Sequence, residues 1–219
     1  LEIIAMWLYV MSIRDAPLHL SLPYLSFTPI FIIGTGYLFL GETVTWDGAL
    51  GIVLIVLGAY ILNIEQVNYR WRNLLAPITA IFRIRGSLLM LVAALIYSFT
   101  GVLSKKAMLY TEAHTFGALY FSLIGIASLF VVLIFQPHLI KKIGAKPGPG
   151  LLVSILMAFM VVTHFIALEL VETAYMISVK RTSMIFGMLI GAWMFRDMSF
   201  RQHLPAGLIM LTGVGFILL

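Results

Sequence analysis

Apolar stretches of membrane-spanning length recur from one end of the chain to the other, broken by short polar turns. Residues 1–12 are too short to span and read as the tail of a helix, closed by a tight turn at Arg14-Asp15. Residues 17–40 form the next span, with prolines at 17, 23 and 29. Pro17 suits a first helical turn, whereas Pro23 and Pro29 are expected to kink the helix by removing internal hydrogen bonds. Ser21, Ser26 and Thr28 stand near enough to satisfy the freed carbonyls. Gly41-Glu42 ends that span, and Thr45-Trp46-Asp47 opens a glycine-marked one over 49–62. Residues 63–85 are the one long polar linker, with Arg70, Trp71, Arg72, Arg83 and Arg85 suited to the headgroup region. Spans follow over 86–103, 115–135, 151–170, 174–197 and 204–219, giving seven full or nearly full spans and one partial one. The chain begins without methionine inside an apolar stretch and ends inside another, as expected of a truncated sequence.

An internal repeat runs through this pattern. Residues 31–62 and 186–218 share a glycine-bearing span that ends in an acidic residue (Glu42, Asp197), a short turn and a glycine-rich span. Gly51 matches Gly207, and Tyr60-Ile61-Leu62 matches Phe216-Ile217-Leu218. Duplicated halves are a habit of transporters, whose binding sites lie at the repeat interface near the bilayer midplane.

Composition sharpens the class. Of 219 residues, 62% are hydrophobic and 11% charged, with a mean hydropathy of +1.06, far above a soluble domain. The net charge of +5 does not point to nucleic acid, because the basic residues are spread thinly between spans. The absence of cysteine removes thiolate nucleophiles and cysteine-ligated metals. Neither a His-Glu-x-x-His zinc motif, a Gly-x-Ser-x-Gly elbow nor a phosphate loop is present. Arg14, the four linker arginines, Lys141, Lys142, Lys146, Arg196 and Arg201 fall on one side of the spans, and Lys105 and Lys106 on the other. The positive-inside rule then puts the first side in the cytoplasm and the C-terminus outside.

One span breaks the apolar rule. Residues 174–197 carry Lys180 and Arg181 side by side, about seven residues or roughly 10 Å into the helix. An unpaired charge at a helix centre costs about 2.5–3.5 kcal/mol on insertion scales, so the pair should face protein or a watery cavity. His164 lies about as far before the turn at Val171 as the pair lies after it, and Ser178 shares a helix face with Arg181. The expected site is a midplane anion site. Arg181 and Lys180 hold the charge, His164 supplies a proton-linked step and Ser178 a hydrogen bond, with Tyr24 lining a cavity opened by Pro23. The structural alternative pairs Lys180 and Arg181 with Glu169 or Glu172 and leaves His164 as a packing residue. Gly187 and Gly191 form a small-xxx-small stripe expected to pack against protein.

The repeated stretches resemble the EamA-like branch of the drug/metabolite transporter superfamily. The residues that carry the likeness are Pro29, Gly41-Glu42, Gly51 and Gly58 in the first half, and Asp197, Gly207 and Gly213 in the second. The resemblance implies an all-α membrane protein, a polytopic helical bundle built as two inverted five-helix repeats, with about eight of ten spans present. Residues 1–62 would be the incomplete first repeat, 63–85 the linker and 86–219 the second repeat. It also implies an alternating-access transporter of a small metabolite, without cofactor, in the lipid bilayer of a prokaryotic cytoplasmic membrane. A coupling proton or ion, and a monomer or homodimer, both stay open. Met184 stands where a second proline like Pro29 is expected, and the charge-derived orientation opposes the family's cytoplasmic termini. Lys180-Arg181 also resembles the adjacent pair in the ninth helix of plastid organic-phosphate translocators. The lysine of their fourth helix is absent from Leu25-Ser26-Phe27-Thr28. The likeness therefore implies an anion site without specifying a sugar phosphate. An exporter of amino acids or drugs with a structural Lys-Arg pair, or a polytopic membrane enzyme, are the alternatives.

Overall fold

The fold comes from a computed structural model that describes residues 1–16, 21–64, 84–135, 137–139, 147–195 and 200–219. Pro17, the linker residues Arg70, Trp71, Arg72 and Arg83, the lysines at 141, 142 and 146, and Arg196-Asp197 lie outside the described residues. Among the described residues every regular element is a helix. In chain order these are α1 (Glu2–Asp15), a 3-10 segment (Leu22–Phe27), α2 (Thr28–Leu40), α3 (Trp46–Ile64) and α4 (Arg85–Met108). They are followed by α5 (Ala113–Phe135), a short 3-10 turn (Pro137–Leu139), α6 (Pro147–Leu170), α7 (Thr173–Arg181), α8 (Ser183–Phe195) and α9 (Phe200–Ile217). Among the described residues four segments are long and apolar enough to cross a membrane: Leu22–Leu40, Arg85–Met108, Ala113–Phe135 and Pro147–Leu170. Trp46–Leu62 and Leu204–Ile217 are shorter apolar helices. The chain is an all-α membrane protein, since only internally hydrogen-bonded segments of this kind persist in hydrocarbon.

Several elements depart from the sequence expectation. Arg14 and Asp15 end α1 instead of forming a separate turn, and the extended backbone of Ala16 stops the helix. Arg14 Nε donates to Asp15 Oδ1 at 2.8 Å, and this bond holds the Asp15 carboxyl below its ordinary value. The proline-bearing span is two helices in series. Pro23 occupies the first turn of the 3-10 segment and Pro29 the first turn of α2. Neither is interior, so each falls where a missing N–H costs little. The Lys-Arg span is likewise two helices, because α7 ends at Arg181 and α8 starts at Ser183.

The chain forms two compact units. One comprises Leu1–Leu103 and Glu172–Leu219; the other is Ser104–Val171. In the first, Ile32, Ile52, Val56, Val102 and Ala174 make one buried cluster, and Ile55, Ala59, Ile185 and Met210 another. The repeat-related helices α3 and α9 pack directly on each other. A Cβ at Gly51 would lie 2.5 Å from Gly213 O, one at Gly213 2.6 Å from Gly51 O, and one at Gly58 2.7 Å from Ala206 O. Partners on α9 retreat as residues on α3 advance, so the two helices run antiparallel. Such approach is open only to glycine, and in lipid close backbone contact is itself the stabilising term. The expected stripe on α8 is different: Gly187 is exposed, and a Cβ there would meet nothing within 4 Å. Among the described residues, tight glycine contacts with a neighbouring backbone join α3 to α9 and bring Gly86 of α4 against Ser12. In the second unit Phe165 is buried and packs edge-on against Phe116, Tyr120 and Phe121, joining α6 to α5.

Gly213→Leu should lower the thermal midpoint in detergent, because overpacking costs about 1–3 kcal/mol. Gly215→Leu, two residues away where a Cβ meets nothing within 4 Å, should leave the midpoint unchanged. Equal midpoints for the two variants would sink the assignment of the α3–α9 contact.

Candidate functional site

The chemistry of the first unit gathers along α2 and α7. Helix α2 ends at Gly41, whose φ of +70° lies in the left-handed region open to glycine. Gly41 N donates to Tyr37 O and Glu42 N to Gly36 O, closing the helix end and projecting Glu42 beyond it. The Glu42 carboxylate then caps a different helix. It accepts from Thr173 N, at 3.2 Å to Oε1 and 3.0 Å to Oε2, and from Thr173 Oγ1 at 3.1 Å. An anion at the positive end of α7 is favoured by the helix dipole and satisfies an otherwise orphaned donor. Beside it, Tyr175 Oη accepts from Thr45 N at 3.0 Å and lies 3.2 Å from Thr45 Oγ1. Gly48 N donates to Thr45 Oγ1 at 3.1 Å. A Cβ on Gly48 would collide with the Tyr175 hydroxyl, so glycine at this position lets the phenol reach Thr45.

At the other end of α7 stand Lys180 and Arg181. Arg181 Nη2 donates to Thr28 Oγ1 at 3.2 Å. Thr28 Oγ1 in turn donates to Leu25 O at 2.7 Å. Leu25 O is the carbonyl that the residue at 29 would serve in an unbroken α-helix, and proline has no N–H to give it. Helices α2 and α7 are therefore antiparallel and tied at both ends, by Glu42–Thr173 and by Thr28–Arg181.

Arg181 Nε is buried and has no hydrogen-bond partner among the described residues. Arg181 makes no ion pair among the described residues. Tyr97 and Tyr9 lie within electrostatic reach of Arg181, and Glu2 within reach of the more exposed Lys180. Both cations occupy the last turn of α7, where the helix dipole contributes about 0.3–1 kcal/mol, up to about 2 in partly buried sites. A charge-assisted hydrogen bond adds about 1.5–3 kcal/mol. The effective penalty of burying an ion is several kcal/mol, the same order as these two terms together.

The other expected site residues are placed as follows. Ser178 is buried and donates its hydroxyl proton to Ala174 O, four residues back, at 2.6 Å. Tyr24 is buried within the 3-10 segment, at 1% exposure. His164 belongs to the second unit, where its ring packs edge-on against Phe165. Sequence reasoning missed Thr28 as the partner of Arg181, and Thr173, Thr45, Tyr175 and Gly48 as the lacing around Glu42. The signal for Thr28 was local: a hydroxyl residue directly before a proline in an apolar run. The lacing had no local signal, because its partners lie about 130 residues apart.

The basic pair stands at the break between two half-helices, α7 and α8. Residues 2–64 match the model of the EamA-like transporter family, within the drug/metabolite transporter superfamily, as the motif likeness implied. That segment holds α1, α2, α3, Thr28 and Glu42. That family is one of membrane transporters, and the match covers 63 of the chain's 219 residues. Neither a curated protein nor a solved structure matches the chain significantly.

Glu42→Ala removes the cap of α7 and should cost about 0.5–2 kcal/mol of stability. Glu42→Gln, which keeps an acceptor oxygen, should cost less. Thermal unfolding in detergent measures both, and an unchanged midpoint in the alanine variant would remove the cap from the argument.

Proposed function

We propose that the protein is a secondary transporter of a small metabolite bearing a carboxylate or another oxyanion, working by alternating access across the cytoplasmic membrane of a prokaryote. The observation that carries this reading is the buried Nε of Arg181, a cationic donor with no partner among the described residues, at the break between α7 and α8. An oxyanion there supplies the missing acceptor, and Lys180, adjacent in sequence, adds a point charge. The antiparallel packing of α3 on α9 and of α2 on α7 suits an inverted repeat, in which corresponding half-helices meet around a central site. A purely cationic substrate fits poorly beside two cations. An amino acid fits through its carboxylate. The competing reading, a structural pair, draws on the Thr28 bond and the helix dipole, which offset part of the burial cost.

The test is uptake into proteoliposomes by the intact polypeptide, with inorganic phosphate, simple carboxylates and amino acids offered in turn. Arg181→Gln and Lys180→Gln are run beside the parent. Losing one partner of a buried charge pair costs about 2–5 kcal/mol, so Arg181→Gln should raise the half-saturating concentration about 30-fold or more. Saturable uptake that is identical in the parent and both variants would make the pair structural and remove the proposed site.

A further inference from the structure

We infer that Thr28 is the positioning residue that aims the Arg181 guanidinium and so sets the geometry in which an oxyanion is received. This inference rests on the reading of Arg181 as the anion-holding group, and it starts from proline chemistry. Pro29 cannot donate to Leu25 O, and that carbonyl lies in an apolar segment where an unserved acceptor is costly. Thr28 serves it twice, through its own N–H and through Oγ1 at 2.7 Å. A hydroxyl has one hydrogen, and here it is committed to Leu25 O. Only lone pairs remain on Oγ1, and Arg181 Nη2 takes one of them at 3.2 Å. The polarity of the contact is therefore fixed, because arginine has donors alone.

Position follows from stiffness. Thr28 is 2% exposed, β-branched and in the first turn of α2, so its hydroxyl has little freedom. The guanidinium is planar. Anchoring one of its nitrogens on a rigid acceptor restricts the plane, and the buried Nε is left as the unspent donor. A freely rotating arginine would have to be ordered at each binding event. One held by Thr28 is already oriented, and ordering costs fall accordingly. The hydroxyl is thus a bridge: the backbone defect made by Pro29 fixes the side chain that holds Arg181.

The experiment follows chemical modification of Arg181 by phenylglyoxal in the full chain in proteoliposomes, resolved by peptide mass spectrometry. Protection is titrated with inorganic phosphate and, separately, with benzoate. In the parent at least one anion should slow modification of Arg181. Thr28→Val, which keeps the shape and removes both hydroxyl contacts, should raise the protecting concentration roughly tenfold or more, the effect of losing one charge-assisted hydrogen bond. Thr28→Ser, which restores the hydroxyl, should fall within about threefold of the parent on the same scale. Pro29→Ala offers Leu25 O a second backbone donor that competes with the Thr28 hydroxyl, so it too should raise the protecting concentration with Thr28 intact. That variant carries the test if Thr28→Val does not fold. Thermal midpoints are recorded alongside, since a merely structural role for Thr28 would move them and leave the protecting concentrations alone. Protection in the parent with unchanged values in Thr28→Val, or in Pro29→Ala where the valine variant does not fold, overturns the role of Thr28 and leaves the Arg181 site standing. Absence of protection by either anion in the parent overturns both.

Discussion

A guanidinium buried among apolar helices has to be met by acceptors, and the arrangement of α2 and α7 follows from how Arg181 is met. Its position at the C-terminal end of α7 places it where helix carbonyls favour a cation. One nitrogen is taken by Thr28 and another is left without a partner among the described residues. The half-helix that delivers Arg181 to this position is anchored at its far end by the Glu42 carboxylate. Since Glu42 extends from the end of α2 and Thr28 begins it, a single helix holds α7 at both termini. That helix lies within the segment matched by the EamA-like family model.

Membrane helices gain little from burying apolar side chains against one another, because lipid is equally apolar. The first unit uses the two forces that remain. Close backbone approach joins α3 to α9 through Gly51, Gly58 and Gly213. Polar contacts join α2, α3 and α7: Glu42 to Thr173, Tyr175 to Thr45, and Arg181 to Thr28. Every one of these polar contacts lies at a helix end, where backbone donors or acceptors are short of partners. The prolines act in the same way, since Pro23 and Pro29 create helix starts within a span instead of bending a continuous helix. A bundle built from half-helices has polar groups at membrane depth, and these are the groups available to handle a polar solute.

Much of this was legible in the residues. The all-helical membrane class follows from hydropathy and span length, because an apolar chain in lipid must satisfy its backbone internally. The repeat and its short motifs pointed to the family whose model matches residues 2–64. Lys180 and Arg181 stood out because charge is expensive inside a span. Glu42 stood out as the acidic residue that ends a span, whereas its capping of α7 depends on a partner about 130 residues away. Of the glycine stripe on α8, Gly187 is not packed among the described residues, because small-residue spacing marks a face that can be approached and does not say which helix approaches it.

The tertiary structure decided what each polar group touches. Ser178 shares a face with Arg181 in the sequence, yet its hydroxyl serves Ala174 O of its own helix. His164 can be aligned with the basic pair by counting residues from the turn, whereas chain packing assigns it to a different compact unit. Thr28 and Arg181 lie 153 positions apart, and no pattern in either segment names the other. Local sequence sets where a helix starts and stops, because caps, prolines and glycines act within a turn of themselves. Partners for a buried charge come from whichever helix is packed beside it, and that is determined by the bundle as a whole.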